Sequence, residues 1–195
     1  MIATAAAASL PFKTKKKRLT YEDYARLTPP DSGNFELHDG QIIHMASPTP
    51  LHQDIAGELY AAMLVFAKSN DLGKVYIAPL DTLFDRFNTF QPDVLFISKE
   101  RLNIIGDKKI EAAPDLVVEV LSGGNTRKEM LHKRHTYEAY GVREYWLINP
   151  EKMTLVQYIF NQEEEEFEQQ RYAFEDEIES AVMPGFRIKL SNLLA

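Results

Sequence analysis

Cysteine is absent from this chain of 195 residues. That excludes disulfides, thiolate nucleophiles and cysteine-ligated zinc. No apolar run approaches the ~18 residues that a membrane-crossing helix requires, so no membrane partner is expected. An excess of cations is lacking as well. Lys and Arg number 22 against 29 Asp and Glu, a formal net charge of −7, whereas broad nucleic-acid-binding surfaces carry the opposite balance. A secretory leader places its basic residues ahead of its apolar stretch. Here the alanine-rich start, Met1 to Leu10, comes first and the basic run ending in Lys15, Lys16, Lys17 and Arg18 follows. Residues 1–18 are read as a disordered tail and the protein as cytoplasmic.

The remaining length, residues 19–195, suits one domain with one sizeable core. Its most informative stretch runs from Ala113 to Ser122. The valine-rich segment Leu116 to Leu121, bounded by Pro114 and by Gly123-Gly124, reads as a strand buried on both faces. Glu119 lies in its middle. An ionised carboxylate is costly in such surroundings unless it is paired, hydrogen-bonded or metal-bound. Glu119 is therefore either the partner of a structural ion pair or part of a site.

In chain order, Leu19 to Leu27 predicts a short helix capped by Thr20. Phe35 to His38 and Gln41 to Met45 predict a hairpin turned by Asp39-Gly40. A long helix is expected over Leu51 to Ser69, with an apolar stripe of Leu51, Ile55, Leu59, Ala62, Met63 and Phe66. His52 and Glu58 flank that stripe. Short strands are expected at 75–78 and 81–84, then a turn around Arg86 to Thr89. An apolar strand follows over Pro92 to Ile97, with Asp93 at its entry, and Ser98 to Asp107 reads as a connector of partly helical character. Thr126 to Tyr140 predicts a helix ended by Gly141, its inward seam formed by Met130, Lys133, Tyr137 and Tyr140. Lys133 thus stands where a helix normally carries an apolar residue. Glu144 to Ile148 predicts another strand, and a strand–helix–strand run of this length favours a parallel crossover. Leu155 to Phe160 and Phe167 to Phe174 alternate as a C-terminal β-hairpin. The fold class is α/β (α+β): a mixed sheet flanked by helices.

Three misplaced charges converge: Asp93 at one strand entry, Glu119 within the next strand, and Lys133 on the following helix seam. Two carboxylates and a lysine suit a hard-metal site in which Mg²⁺ keeps waters and meets a phosphate. Asp115, beside Pro114, is read as a turn residue, and Glu36 as structural.

The pattern Pro92-Asp93 followed by Glu119-Val120-Leu121 resembles the PD-(D/E)XK nuclease signature. More closely, the chain resembles the Uma-type restriction endonuclease family. The matching segments are Phe35-Glu36-Leu37-His38-Asp39-Gly40, Ser47-Pro48 with His52, Gln91-Pro92-Asp93-Val94, Pro114 to Ser122, Lys133 with Tyr137, Gly141 to Trp146, and Pro184-Gly185-Phe186. The resemblance spans about Leu19 to Leu194. It implies a restriction-endonuclease-like fold and Mg²⁺- or Mn²⁺-dependent hydrolysis of DNA. It implies Asp93 and Glu119 as metal ligands, with the backbone carbonyl of Val120 as a third. Where the simple signature has a lysine two residues after the acid, this chain has Leu121, and the resemblance implies that Lys133 takes its place. Glu58 and His52 are possible additional site residues. A homodimer is expected of enzymes that cut both strands, and the aromatic residues of the C-terminal hairpin either offer it a surface or form a satellite core. The alternative is a non-catalytic binding or assembly module that keeps the nuclease fold.

Overall fold

The computed structural model describes residues 17–29, 34–124 and 126–194. Most of the expected tail, residues 1–16, lies outside them. The elements run α1 (Tyr21–Leu27), β1 (Phe35–His38), β2 (Gln41–His44), α2 (Pro50–Ser69), β3 (Gly73–Ile77), β4 (Thr82–Asp85), β5 (Asn88–Phe90) and β6 (Val94–Ser98). A 3-10 helix (Lys99–Ile104) leads to β7 (Leu116–Val120), α3 (Arg127–Ala139), β8 (Glu144–Asn149), β9 (Thr154–Asn161) and β10 (Glu166–Ala173). The chain closes with β11 (Glu177–Glu179), β12 (Arg187–Lys189) and a second 3-10 helix (Leu190–Leu194).

Six strands form the main sheet in the order β10-β9-β8-β7-β6-β3. Its neighbours are antiparallel except β7 and β8, which are parallel and joined through α3. This is the predicted mixed sheet with its crossover. Alternation along β7 divides its side chains between two cores. Leu116, Val118 and Val120 join Trp146 and Ile148 in the core beneath α2, which contributes Ile55, Leu59 and Met63. Val117 faces the other way and packs with Tyr137 of α3, Tyr145 of β8 and Phe84 and Phe90. Glu119 shares the face of Val117. A four-stranded sheet, β2-β1-β5-β4, supplies the last two phenylalanines. Both helices that bound the site start on capped turns: Thr49 accepts from His52 N–H, and Thr126 forms a capping box with Glu129.

Three local expectations change. The turn is only Arg86 and Phe87, and Asn88 and Thr89 already belong to β5, because Asp85 accepts from the Phe87 N–H at 2.6 Å and from the Asn88 amide, closing the turn early. Leu51 is exposed, and the buried side of α2 begins instead at His52. Tyr140, at the C-cap of α3, is exposed with its hydroxyl on Asp85. Of the C-terminal hairpin aromatics, Tyr158 and Phe174 take the core alternative, Tyr158 stacking on Tyr145.

Two further features bear on later points. Glu144 is fully buried and accepts from the Trp146 indole (2.6 Å), the Gln157 amide (2.6 Å), the Ser180 hydroxyl (2.7 Å) and the Val182 N–H (3.1 Å). On the outer edge of β10, the N–H of Phe167 donates to Glu138 (2.8 Å) and that of Ala173 to Asp176 (2.7 Å).

Candidate active site

The register of β6 against β7 pairs Val94 with Val118 and Leu95 with Val117. Continued by one residue, it sets Asp93 opposite Glu119 on the same face, the separation at which cross-strand side chains interact. Asp93 stands just before β6 begins, so β7 runs on past a gap in the sheet. The Val120 N–H fills part of that gap by donating to Asp93 Oδ2 at 2.7 Å. In a strand, a residue's C=O lies on the same side as its N–H, so the Val120 carbonyl faces the gap too.

Lys133 reaches in from α3. Its Nζ lies 2.8 and 3.1 Å from the two carboxylate oxygens of Glu119 and 2.8 Å from Glu36 Oε1. The ammonium is almost fully buried. Burial works against its charge, but Glu119 and Glu36 outweigh burial and raise its pKa. Lys133 therefore stays a cation at every ordinary pH. Tyr137, one helical turn on, donates its hydroxyl to Glu119 Oε1.

Glu36 is the residue that sequence reasoning left as structural. It comes from β1 and accepts from the Gln91 N–H at 2.8 Å, while His38 Nε2 meets its other oxygen at 2.7 Å. The two acids on Lys133 are pushed apart. Glu119 is raised to about 7, first by burial and then by the charges of Asp93 and Glu36, with Lys133 only partly offsetting. Glu36 suffers the same burial, but Lys133 and His38 outweigh it and hold it low, at about 2. Two carboxylates sharing one ammonium titrate as a unit, with Glu119 shifted upward and Glu36 downward.

His52, in the first turn of α2, places Nε2 3.2 Å from Asp93 Oδ2. Burial lowers its pKa, but the hydrogen bond to Asp93 and the charges of Asp93 and Glu119 outweigh burial, and the net shift is upward. Its Nδ1 is buried without a partner. Glu36, His52, Asp93, Glu119, Val120, Glu129 and Lys133 all line one cleft. Glu58 is exposed on α2 and lines no part of it, because six residues along a helix carry it away from the direction of His52.

Among the described residues, no three His, Asp or Glu side chains are arranged to hold a metal by themselves. The donors nevertheless fit one kind of ion. Asp93 meets both His52 and the Val120 N–H through Oδ2, so Oδ1 is the oxygen on offer. Glu119 Oε2 has Lys133 at 3.1 Å, the longer of its two contacts with that ammonium, and the Val120 carbonyl faces the same gap. Two carboxylates and a carbonyl suit Mg²⁺ or Mn²⁺, which retains waters and needs no all-protein cage.

Comparison with known proteins agrees with this architecture. The model of the family Uma2, described as "Putative restriction endonuclease", matches residues 21–191. A crystal structure of a "putative nuclease belonging to DUF820" from Anabaena variabilis superposes with a TM-score of 0.75 at 19% identity, over 90% of this chain and 97% of that one. At that identity the likeness speaks for the fold. No curated protein matches the chain. No helix among the described residues is long and apolar enough to cross a membrane.

Proposed function

Because the chain belongs to the Uma2 family, we propose that it is a metal-dependent endonuclease that hydrolyses DNA phosphodiester bonds in the cytoplasm. One observation carries the reading: Asp93 just before β6, Glu119 of β7 and Lys133 of α3 line one cleft. Asp93, Glu119 and the Val120 carbonyl would hold Mg²⁺ or Mn²⁺, which when bound supplies a low-pKa water and neutralises charge on the phosphate.

The chain's own groups have separable tasks. Lys133 and Tyr137 fix the Glu119 carboxylate. Glu36 fixes Lys133 from the other side. Because Lys133 keeps its proton, it acts as an orienting and charge-stabilising group and not as a general base. His52 and the Val120 N–H hold Asp93.

The test is cleavage of supercoiled plasmid and single-stranded DNA in Mg²⁺ or Mn²⁺ by the protein and by Glu119→Gln and Lys133→Ala. Loss of about a hundredfold or more in both variants is expected; cutting that survives equally in both would discard this site. A second reading, a non-catalytic module that keeps the fold, is favoured by one feature. Both oxygens of Glu119 already hold Lys133, a closed ion pair that needs no substrate. Calorimetric titration with Mn²⁺ separates the two, since a module would bind no ion at Glu119 and Glu119→Gln would leave the isotherm unchanged. Assembly as a homodimer belongs to the same proposal, with sedimentation equilibrium as its check.

A further inference from the structure

Beside the cleft lies a second cavity of about 240 Å³, and the two share Ile43 and Glu129 as walls. The same elements build both. Strand β1 gives Glu36 to the cleft and His38 to the second cavity. These residues are two apart on one face, roughly 6.7 Å along a strand. Helix α3 gives Glu129 and Lys133 to the cleft and Lys128 and His132, each one position earlier, to the second cavity. The second cavity thus adjoins the cleft along the same strand and the same helix.

Its chemistry differs. The cleft holds carboxylates around a cation. The second cavity offers the partly exposed imidazole of His132, 5.3 Å from the buried ring of His38, with Gln41 and Thr126 as uncharged polar groups, Lys128 as a cation and Asp39 and Glu129 as acids. His132 Nε2 is held by the Asn88 side-chain oxygen at 2.9 Å, which fixes the ring's orientation. Beyond it stands the Asp39-Gly40 turn. Gly40 has a positive φ of 74°, and a Cβ there would come within 2.6 Å of Arg18 Cβ, so the turn sits tightly on that arginine. The Arg18 and Arg86 guanidiniums lie 3.9 and 4.5 Å from the Phe87 ring centre, and Arg18 is paired with Asp39. Two arginines thus stand beside the Asp39 turn on a chain that is acidic overall.

We propose that the second cavity seats the base of the nucleotide next to the scissile phosphate, and that Lys128, Arg18 and Arg86 take the phosphates that follow. The inference rests on the endonuclease reading above and narrows its substrate. A base can enter a cavity between a hairpin and a helix only when it is unpaired, so the preferred substrate is single-stranded or locally opened DNA. The partly exposed His132 ring and the Gln41 amide, which can meet any base, also make the seat tolerant of sequence.

The test compares two fluorescent oligonucleotides of equal length and charge, an oligothymidine and its fully abasic counterpart. Binding is measured by anisotropy to Glu119→Gln protein with Ca²⁺ and to the unaltered protein in EDTA. The abasic strand is expected to bind about tenfold more weakly, as stacking energies per base imply, and the gap is expected to close in Gln41→Ala and in His132→Ala. Charge reversal of Arg18, Arg86 and Lys128 is expected to weaken both strands alike and to flatten the salt dependence by about 0.7 for each phosphate no longer neutralised. Equal binding of the two strands overturns the base seat and leaves the endonuclease reading standing, as does a gap that persists in both single variants. Binding of neither strand overturns that reading and the seat with it.

Discussion

Glu119 and Glu144 stand on the neighbouring parallel strands β7 and β8, both almost without exposed surface, yet their surroundings are opposite in kind. Glu144 faces the α2 side and accepts four hydrogen bonds, all from uncharged donors. Two of those donors, Ser180 and Val182, belong to the C-terminal segment, so this carboxylate ties that segment to the sheet. Glu119 faces the α3 side, meets a lysine and a tyrosine, and opens on a cleft. The difference teaches that burial alone does not mark a site. A carboxylate closed in by neutral donors is a fastening. One whose partner is a cation shared with a second acid, beside open space, can exchange that partner for a ligand.

The comparison breaks most readily at Lys133. Lys133→Met strands Glu36 and Glu119 in the interior without a cation and is expected to cost about 3–5 kcal/mol of stability, measured by urea unfolding. Adding Glu119→Gln should recover part of the loss; a double variant no more stable than the single one would mean that Glu119 does not depend on Lys133. Glu144→Ala leaves the Trp146, Gln157, Ser180 and Val182 donors unpaired and is expected to cost about 1–3 kcal/mol. Cleavage per folded molecule should stay unchanged, and a fall in kcat would show that the two carboxylates are not independent.

Smaller effects appear in the pH dependence of stability. Glu119, at about 7 when folded, lies above its ordinary 4.5, so the folded state holds the extra proton. Stability from this group is present below about 4.5 and is lost as pH rises towards about 7. Glu36, held at about 2, acts in the other direction: its contribution is present above about 4.5 and is lost as pH falls towards 2. Denaturation at about pH 5 and about pH 7 should therefore show Glu119→Gln gaining on the unaltered protein as pH rises. Glu36→Gln should lose ground above about pH 4.5 relative to about pH 3. Parallel curves for all three proteins would refute the opposed shifts.

Much of this was legible in the residues. Lys133 stood out because a helix seam wants an apolar side chain there, and Glu119 because a valine-rich strand does. The register that faces Asp93 toward Glu119 was not legible, because the antiparallel pairing of β6 with β7 is set by the packed sheet and not by either strand's own residues. Glu36 escaped notice because Phe-Glu-Leu-His alternates like any half-solvated strand, and only the packing of α3 over β1 turns its polar face inward. The one available signal was the i, i+2 placement of Glu36 and His38 on a single face. Glu144 escaped because it begins its strand, where acids are ordinary. Glu58 misled for the converse reason: an acid beside an apolar stripe looks like a ligand until helix rotation shows where it points.

The outer rim of β10 has a bearing on how copies of this protein meet. Its outward N–H groups belong to alternate residues, Phe167, Gln169, Arg171 and Ala173, and the first and last already donate to Glu138 and Asp176. An incoming strand would find only the middle pair open and an acidic bend, Glu163 to Glu166, at one end. The sheet is thus finished at six strands as a hem finishes cloth, sealed at both corners against unravelling into a neighbour. Two copies meeting along β10 would therefore join through side chains more readily than by extending that edge.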